Sequence, residues 1–321
     1  MLIKLLKTNK PSSLFALLLL AFSLFVINGL VPFNLQAEHT NNLLHDLLPY
    51  LATHHWLSSL ILFFLSIVIA LSWNRFILDN VILKNSGYVL GFTFLLLSSL
   101  FSLSTVWVVN GFLLFSLQIL MSIYNKKKPY GKLFNTGFLL GLSCLVYVPS
   151  VAFLLTVYAA VFIYSTVSWR TLLIPLIGLI TPLFFVYSYA YYFDVTDQLL
   201  AHYDVLAGFR SVSIKWTLAS SIFTTSIVVF VLLSLVELLK WFSLKNLRAR
   251  KTYRLLLAYC ISCFAALFMS KQPFEHLLLL SIPLSLILAN YFFHNKKRWW
   301  QESTFILFTL LVLYFKIFLN V

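Results

Sequence analysis

Charge is scarce in this chain. Only 10% of its 321 residues are Asp, Glu, Lys or Arg, against about 25% in a soluble globular protein. Acid is scarcest, with nine Asp and Glu residues in all. A soluble fold needs a charged surface, so that class is excluded. Glycine and proline are also few, nine of each, and nowhere do they gather into a linker. The chain therefore reads as one domain, residues 1–321. The three cysteines, Cys144, Cys260 and Cys263, all lie inside apolar runs, so no disulfide framework is implied. Cys260-x-x-Cys263 has redox spacing, but its apolar neighbours disfavour a thiolate.

What the chain has in excess is apolar surface: 61% of residues are hydrophobic. At this length the surplus must face lipid. Eleven apolar runs stand out, at about 13–31, 57–73, 87–103, 106–124, 134–149, 151–168, 172–193, 216–236, 255–270, 277–292 and 303–319. With no water to satisfy backbone N–H and C=O groups, each run must be helical. The expected fold is an all-α polytopic bundle of about eleven spans. The first run follows Lys4, Lys7 and Lys10 and is longer than a signal-peptide core, so a retained helix is expected there.

The formal charge of +14 would suggest nucleic acid in a soluble protein. Here the cations sit in short clusters between apolar runs, such as Lys126-Lys127-Lys128, Arg248-Ala249-Arg250-Lys251 and Lys296-Lys297-Arg298. That distribution signals membrane topology and excludes nucleic acid as a partner. The same clusters could hold anionic membrane lipid. Placing the N-terminus in the cytoplasm puts Arg210, Lys215 and Lys271 in outer loops and Lys316 in the last run. The other nineteen of the 23 basic residues fall inside. An odd number of spans then puts the C-terminus outside.

Acidic residues favour the outer side: Glu38, Asp46, Asp194, Asp197, Asp204 and Glu275. Two outer loops are longer than a turn requires. In the first, Leu43, Leu44, Leu47, Leu48 and Leu51 share one helical face, so residues 42–51 are expected to lie as an interfacial helix. In the second, Leu199, Leu200, Tyr203, Leu206 and Ala207 separate in the same way from Asp197, Gln198, His202 and Asp204.

These loops hold the candidate chemistry. Glu38 or Asp46 could act as a general base on a hydroxyl acceptor. Arg210, Lys215 and Lys271 could hold phosphate. His39, His45, His54 and His55 join the carboxylates of the first loop, where a divalent metal is a further source of positive charge. No zinc-type spacing is present.

Two stretches carry a family resemblance. Ser270-Lys271-Gln272-Pro273-Phe274-Glu275-His276, with Pro283-Leu284-Ser285-Leu286-Ile287-Leu288-Ala289, resembles the late K-x-P…P-L-x-L-x-x-A pattern of the GT-C superfamily. Gly137-Phe138-Leu139-Leu140-Gly141-Leu142-Ser143-Cys144-Leu145-Val146-Tyr147-Val148-Pro149 resembles that superfamily's G-x-x-x-G-L-x-x-L-T-K-x-P hairpin. GT-C enzymes are polyprenyl-phosphate-sugar transferases, among them protein O-mannosyltransferase-like and aminoarabinose transferases. The resemblance implies a polyprenyl-phosphate-linked sugar as substrate at the outer leaflet. Glu38 and the 42–51 helix would occupy the place of the acidic loop and juxtamembrane helix. Lys271 would lie near the lipid phosphate, with His276 in the same binding segment.

The chain departs from the pattern at three places. Glu38-His39 replaces an Asp-Glu pair, Tyr147 stands where many members have Lys, and Glu275-His276 replaces an aromatic. Lys10-Pro11 also resembles the start of an uncharacterised family of Gram-negative inner-membrane proteins, which implies a multi-pass inner-membrane location. Two other classes stay open. One is a non-catalytic membrane subunit or scaffold of an envelope assembly. The other is a transporter or lipid flippase.

Overall fold

The computed structural model describes residues 6–7, 10–30, 54–80, 82–83, 87–126, 128–164, 167–197, 218–242, 246–270, 273–294 and 298–318. Among the described residues there is helix and no strand. The helices are α1 (Pro11–Leu30), α2 (His55–Asp79), α3 (Val89–Ser98), α4 (Thr105–Met121), α5 (Tyr130–Val146), α6 (Leu154–Tyr164), α7 (Trp169–Tyr192), α8 (Leu218–Phe242), α9 (Leu247–Leu267), α10 (Ser281–His294) and α11 (Arg298–Phe318). A 3-10 segment, Val148–Phe153, leads into α6. A helical turn, Pro273–His276, and a 3-10 turn, Leu277–Leu280, lead into α10.

Each of the eleven apolar runs falls on one of these helices. Among the described residues, four stretches are long and apolar enough to cross a bilayer: Pro11–Asn28, Trp56–Asp79, Trp169–Tyr192 and Phe274–Phe293. The chain is an α-helical membrane protein. Its outward faces agree with that. Phe15, Leu19 and Phe22 on α1 and Leu173, Ile177, Ile180, Phe184 and Phe185 on α7 are exposed, as lipid-facing side chains are.

The centre of the bundle is α3, all ten residues of which are buried. It packs against α2 and α10. Trp73 on α2 donates its indole N–H to Ser285 Oγ on α10 (3.3 Å), and Thr93 on α3 donates to the Ser285 carbonyl (3.2 Å). Phenylalanines extend the core sideways. Phe305 on α11 meets Phe92 on α3 and Phe292 on α10, and Phe308 on α11 meets Phe230 on α8. Lipid is as apolar as these rings, so dispersion and shape hold them together rather than the hydrophobic effect.

The closest helix pair is α5 with α7. A Cβ at Gly137 would stand 2.1 Å from the Pro175 carbonyl oxygen, and one at Gly178 would stand 2.4 Å from that of Phe134. Only glycine lets the two backbones touch, which is how small residues work in membrane bundles. The G-x-x-x-G of residues 137–141 therefore has a packing cause of its own. Contacts advance together, from Gly137 at Pro175 to Gly141 at Leu179, so α5 and α7 run parallel. Ser168 starts α7 with a capping box to Thr171, supplying the acceptor that a first helical turn lacks.

Candidate functional site

Polar side chains collect at one end of the bundle, where α3, α5 and α9 finish and the segment 273–280 begins. Of the predicted site residues, His276 is described there. Glu38, Asp46, Arg210, Lys215 and Lys271, and the interfacial helices expected at 42–51 and in the second outer loop, lie outside the described residues.

His276 is fully buried. Its Nε2 lies 2.9 Å from the Cys263 carbonyl oxygen and 3.5 Å from Cys263 Sγ. Its Nδ1 lies 2.9 Å from the Tyr147 hydroxyl, which in turn is 2.6 Å from Ser270 Oγ. A carbonyl can only accept, so Nε2 carries the proton of a neutral ring and Nδ1 accepts. The Tyr147 hydroxyl, with one proton, sits between two acceptors, Nδ1 and Ser270 Oγ. The result is a chain that links Ser270, Tyr147 and His276 to the Cys263 backbone. It joins the end of α5, the end of α9 and the turn before α10. Both ring nitrogens are engaged, so contact between His276 and a ligand would require this chain to open.

The local sequence explains why the groups meet. Tyr147 leaves α5 in an extended conformation, and Pro149 follows in the 3-10 segment, so the chain turns just where the phenol must point away from the helix. Ser270 follows the last turn of α9, its N–H bonded to the Leu267 carbonyl. Pro273 then opens a new helical turn, a position where a missing N–H costs nothing.

Next to this network, the rings of Phe274 and Phe101 lie 5.4 Å apart, and half-buried Glu275 lies against Ser104. Glu275 Oε2 is buried without a hydrogen-bond partner. Lys316 comes in from α11, only 7% exposed, and its ammonium bonds the Ser99 carbonyl. That carbonyl belongs to the end of α3, where a helix leaves acceptors unpaired.

Phe101 and Ser99 also line a recess between α1, α2, α3 and the first turn of α4. Asn28, Ser66, Ser98, Phe25, Phe63 and Trp107 complete much of its wall. Its cavity volume is about 20 Å³, what one water needs. The recess is lined by α1 and α2, the helices that flank the segment carrying Glu38 and Asp46. Among the described residues, no three His, Cys, Asp or Glu side chains group as metal ligands. Cys144, Cys260 and Cys263 are free thiols.

Sequence reasoning placed His276 and Tyr147 in matching motifs but gave no sign that they touch. It noted Lys316 as a cation inside an apolar run, which was the available signal for its buried role. Ser99, Ser270 and Asn28 carried no signal beyond being polar in apolar surroundings.

The chain belongs to a family of unknown function, DUF6427, which matches residues 1–321. No curated protein and no solved structure matches it.

Proposed function

We propose that this protein is a GT-C-like membrane glycosyltransferase that takes a polyprenyl-phosphate-linked sugar from the outer leaflet. The observation that carries this reading is the contact between Tyr147 and His276. The two stretches that resemble the superfamily, 137–149 and 270–289, come together side chain to side chain at these residues. They are also two of the positions where the chain departs from the superfamily pattern. Here the two departures satisfy each other, as coupled replacements in one site would.

In this reading Glu38 or Asp46 removes the proton from the acceptor hydroxyl. Lys271, Arg210 and Lys215 stabilise the phosphate as the sugar leaves, and a divalent metal is an alternative source of that charge. The Tyr147–His276 chain positions the Ser270–His276 segment, and with it Lys271. The protein crosses the inner membrane about eleven times, N-terminus inside and C-terminus outside, as one domain. Aromatic side chains support a bundle that spans from one interface to the other. Trp169, Trp299 and Trp300 are exposed at the basic end, and Trp56, Tyr191 and Tyr192 at the other, matching the belts at two membrane interfaces.

A second reading, a non-catalytic membrane subunit, is favoured by the departures at Glu38-His39, Tyr147 and Glu275-His276, as in a fold that was kept after its catalysis was lost. Mass spectrometry of lipid retained by the purified protein separates the two. The transferase should retain a polyprenyl phosphate or its glycosylated form. Glu38→Gln or Asp46→Asn should abolish sugar transfer while the protein still inserts. Retention of bulk phospholipid alone, with no transfer, would favour the subunit.

A further inference from the structure

The end of the bundle opposite the Tyr147–His276 network gathers cations from two separate elements around one ring. α5 and α9 both run between the two ends. At the start of α9, Arg248 places its guanidinium carbon 5.7 Å from the centre of the Tyr124 ring, and Lys251 places its ammonium 5.4 Å from it. Lys126 comes from the turn between α4 and α5, and Lys132 from the first turn of α5. The Lys132 ammonium bonds the Ser122 carbonyl at 3.1 Å and the Ser122 hydroxyl. Burial, and then the charge of Lys126, holds the Lys132 amine below its ordinary lysine value. None of the four makes an ion pair among the described residues. Two pairs form among other residues, Arg75 with Asp79 and Lys240 with Glu237; Asp79 adjoins Asn80, which Arg248 bonds, but its carboxylate pairs with Arg75.

The arrangement costs energy twice. Like charges repel across the cluster. In addition, α9 opens with Arg248, Arg250 and Lys251 and with no acidic residue in its first turn, and Asn246 at its cap makes no side-chain bond. Cations at a helix N-terminus oppose the helix dipole, where an anion is favoured. An inside-positive charge bias explains why cations lie at this end. It does not explain why Arg248 and Lys251 share the Tyr124 ring while Lys132, beside Lys126, is bonded two residues away at Ser122.

We propose that Arg248, Lys251, Lys126 and Lys132, around Tyr124, form a binding site for the phosphate headgroup of an anionic lipid in the leaflet at this end. The level is right for a headgroup. Tyr124 and Tyr164 meet edge to face at 6.1 Å, amphipathic rings of the kind that mark a membrane interface, and α9 turns apolar from Leu255 onward. Arg248 spends one hydrogen bond on Asn80, leaving most of its five N–H groups for phosphate oxygens. The face of the Tyr124 ring attracts both α9 cations and offsets part of their mutual repulsion. This site is independent of the transferase reading and lies at the other end of the molecule.

The test uses the full chain in nanodiscs of mixed phosphatidylglycerol and phosphatidylcholine, followed by native mass spectrometry. The wild type should retain phosphatidylglycerol selectively. Arg248→Gln/Lys251→Gln should lose it, at roughly fivefold per cation removed. Arg170→Gln/Lys240→Gln removes two cations from the same end outside the cluster and should retain it. If the double variant does not fold, Lys251→Gln alone carries the test, since its ammonium hydrogen-bonds nothing among the described residues. Equal loss in both double variants would overturn the site in favour of diffuse attraction. So would equal retention of phosphatidylcholine. Displacement of the lipid by millimolar inorganic phosphate would assign the site to a free anion and overturn the lipid.

Discussion

The Tyr147 hydroxyl lies 2.9 Å from Nδ1 of His276, although 129 residues of chain separate them. His276 is fully buried and Tyr147 partly so, and each supplies what the other needs. Tyrosine brings the donor, and the imidazole brings the acceptor left over once its other nitrogen bonds the Cys263 carbonyl.

Removing the phenolic oxygen leaves Nδ1 without a donor in a buried site. Tyr147→Phe should therefore cost about 1–3 kcal/mol, read as a lower midpoint in a thermal melt of the detergent-solubilised protein. Ser270→Ala, which leaves the Tyr147–His276 bond in place, should cost less. Equal losses would mean that Ser270, and not His276, is the principal partner of Tyr147.

The α5–α7 contact gives a prediction with its own control. Gly178→Ala drives a methyl group against the Phe134 carbonyl oxygen at 2.4 Å, and backbone cannot yield as a flexible side chain can. A loss of about 3 kcal/mol is expected, at the upper end of overpacking. Gly131→Ala, on the partner helix α5 with nothing within 4 Å of the added carbon, should leave the melting temperature unchanged. Matching behaviour of the two variants would remove the close-approach argument.

Asn110 on α4 is fully buried, and neither polar atom of its amide has a hydrogen-bond partner among the described residues. An apolar residue of similar volume relieves that penalty. Asn110→Leu should raise the melting temperature by about 2–4 °C. A lowered midpoint would show that the amide bonds something inside the native bundle.

Orientation can be read from the two ends of the chain. Reporter fusions should place residue 1 in the cytoplasm and residue 321 outside it, as the bias of basic residues requires. Two cytoplasmic ends would mean an even number of spans and would reverse every loop beyond the error.

Much of the fold was legible because lipid simplifies the problem. A run such as 172–193 has one way to satisfy its backbone, so hydropathy alone located α7. The run 87–103 shows the limit. It reads as one span, yet α3 ends at Ser98, because Ser99–Ser104 turns the chain and Lys316 supplies a donor from far along the sequence. Basic residues also misled slightly at α9. The helix begins at Leu247, before the apolar run at 255, because Arg248 and Lys251 continue it beyond the hydrocarbon. The site was least legible. Tyr147 and His276 each looked like a departure from a motif, and nothing local says that one departure answers the other. Only the packing of the 3-10 segment after α5, and of the turn before α10, against α9 brings them together.

One helix bears on how the protein is made. At 1.5 Å per residue α3 is about 15 Å long, roughly half the thickness of the hydrocarbon layer. Released into lipid by itself, it would strand its polar ends in oil. One of the helices that covers it, α10, is synthesised almost two hundred residues later. During synthesis α3 must therefore wait, sheltered by α2 or by the insertion machinery, until the last third of the chain arrives. Chains truncated before residue 281 should be recognised as unfinished and degraded, even though most of their helices are already in the membrane.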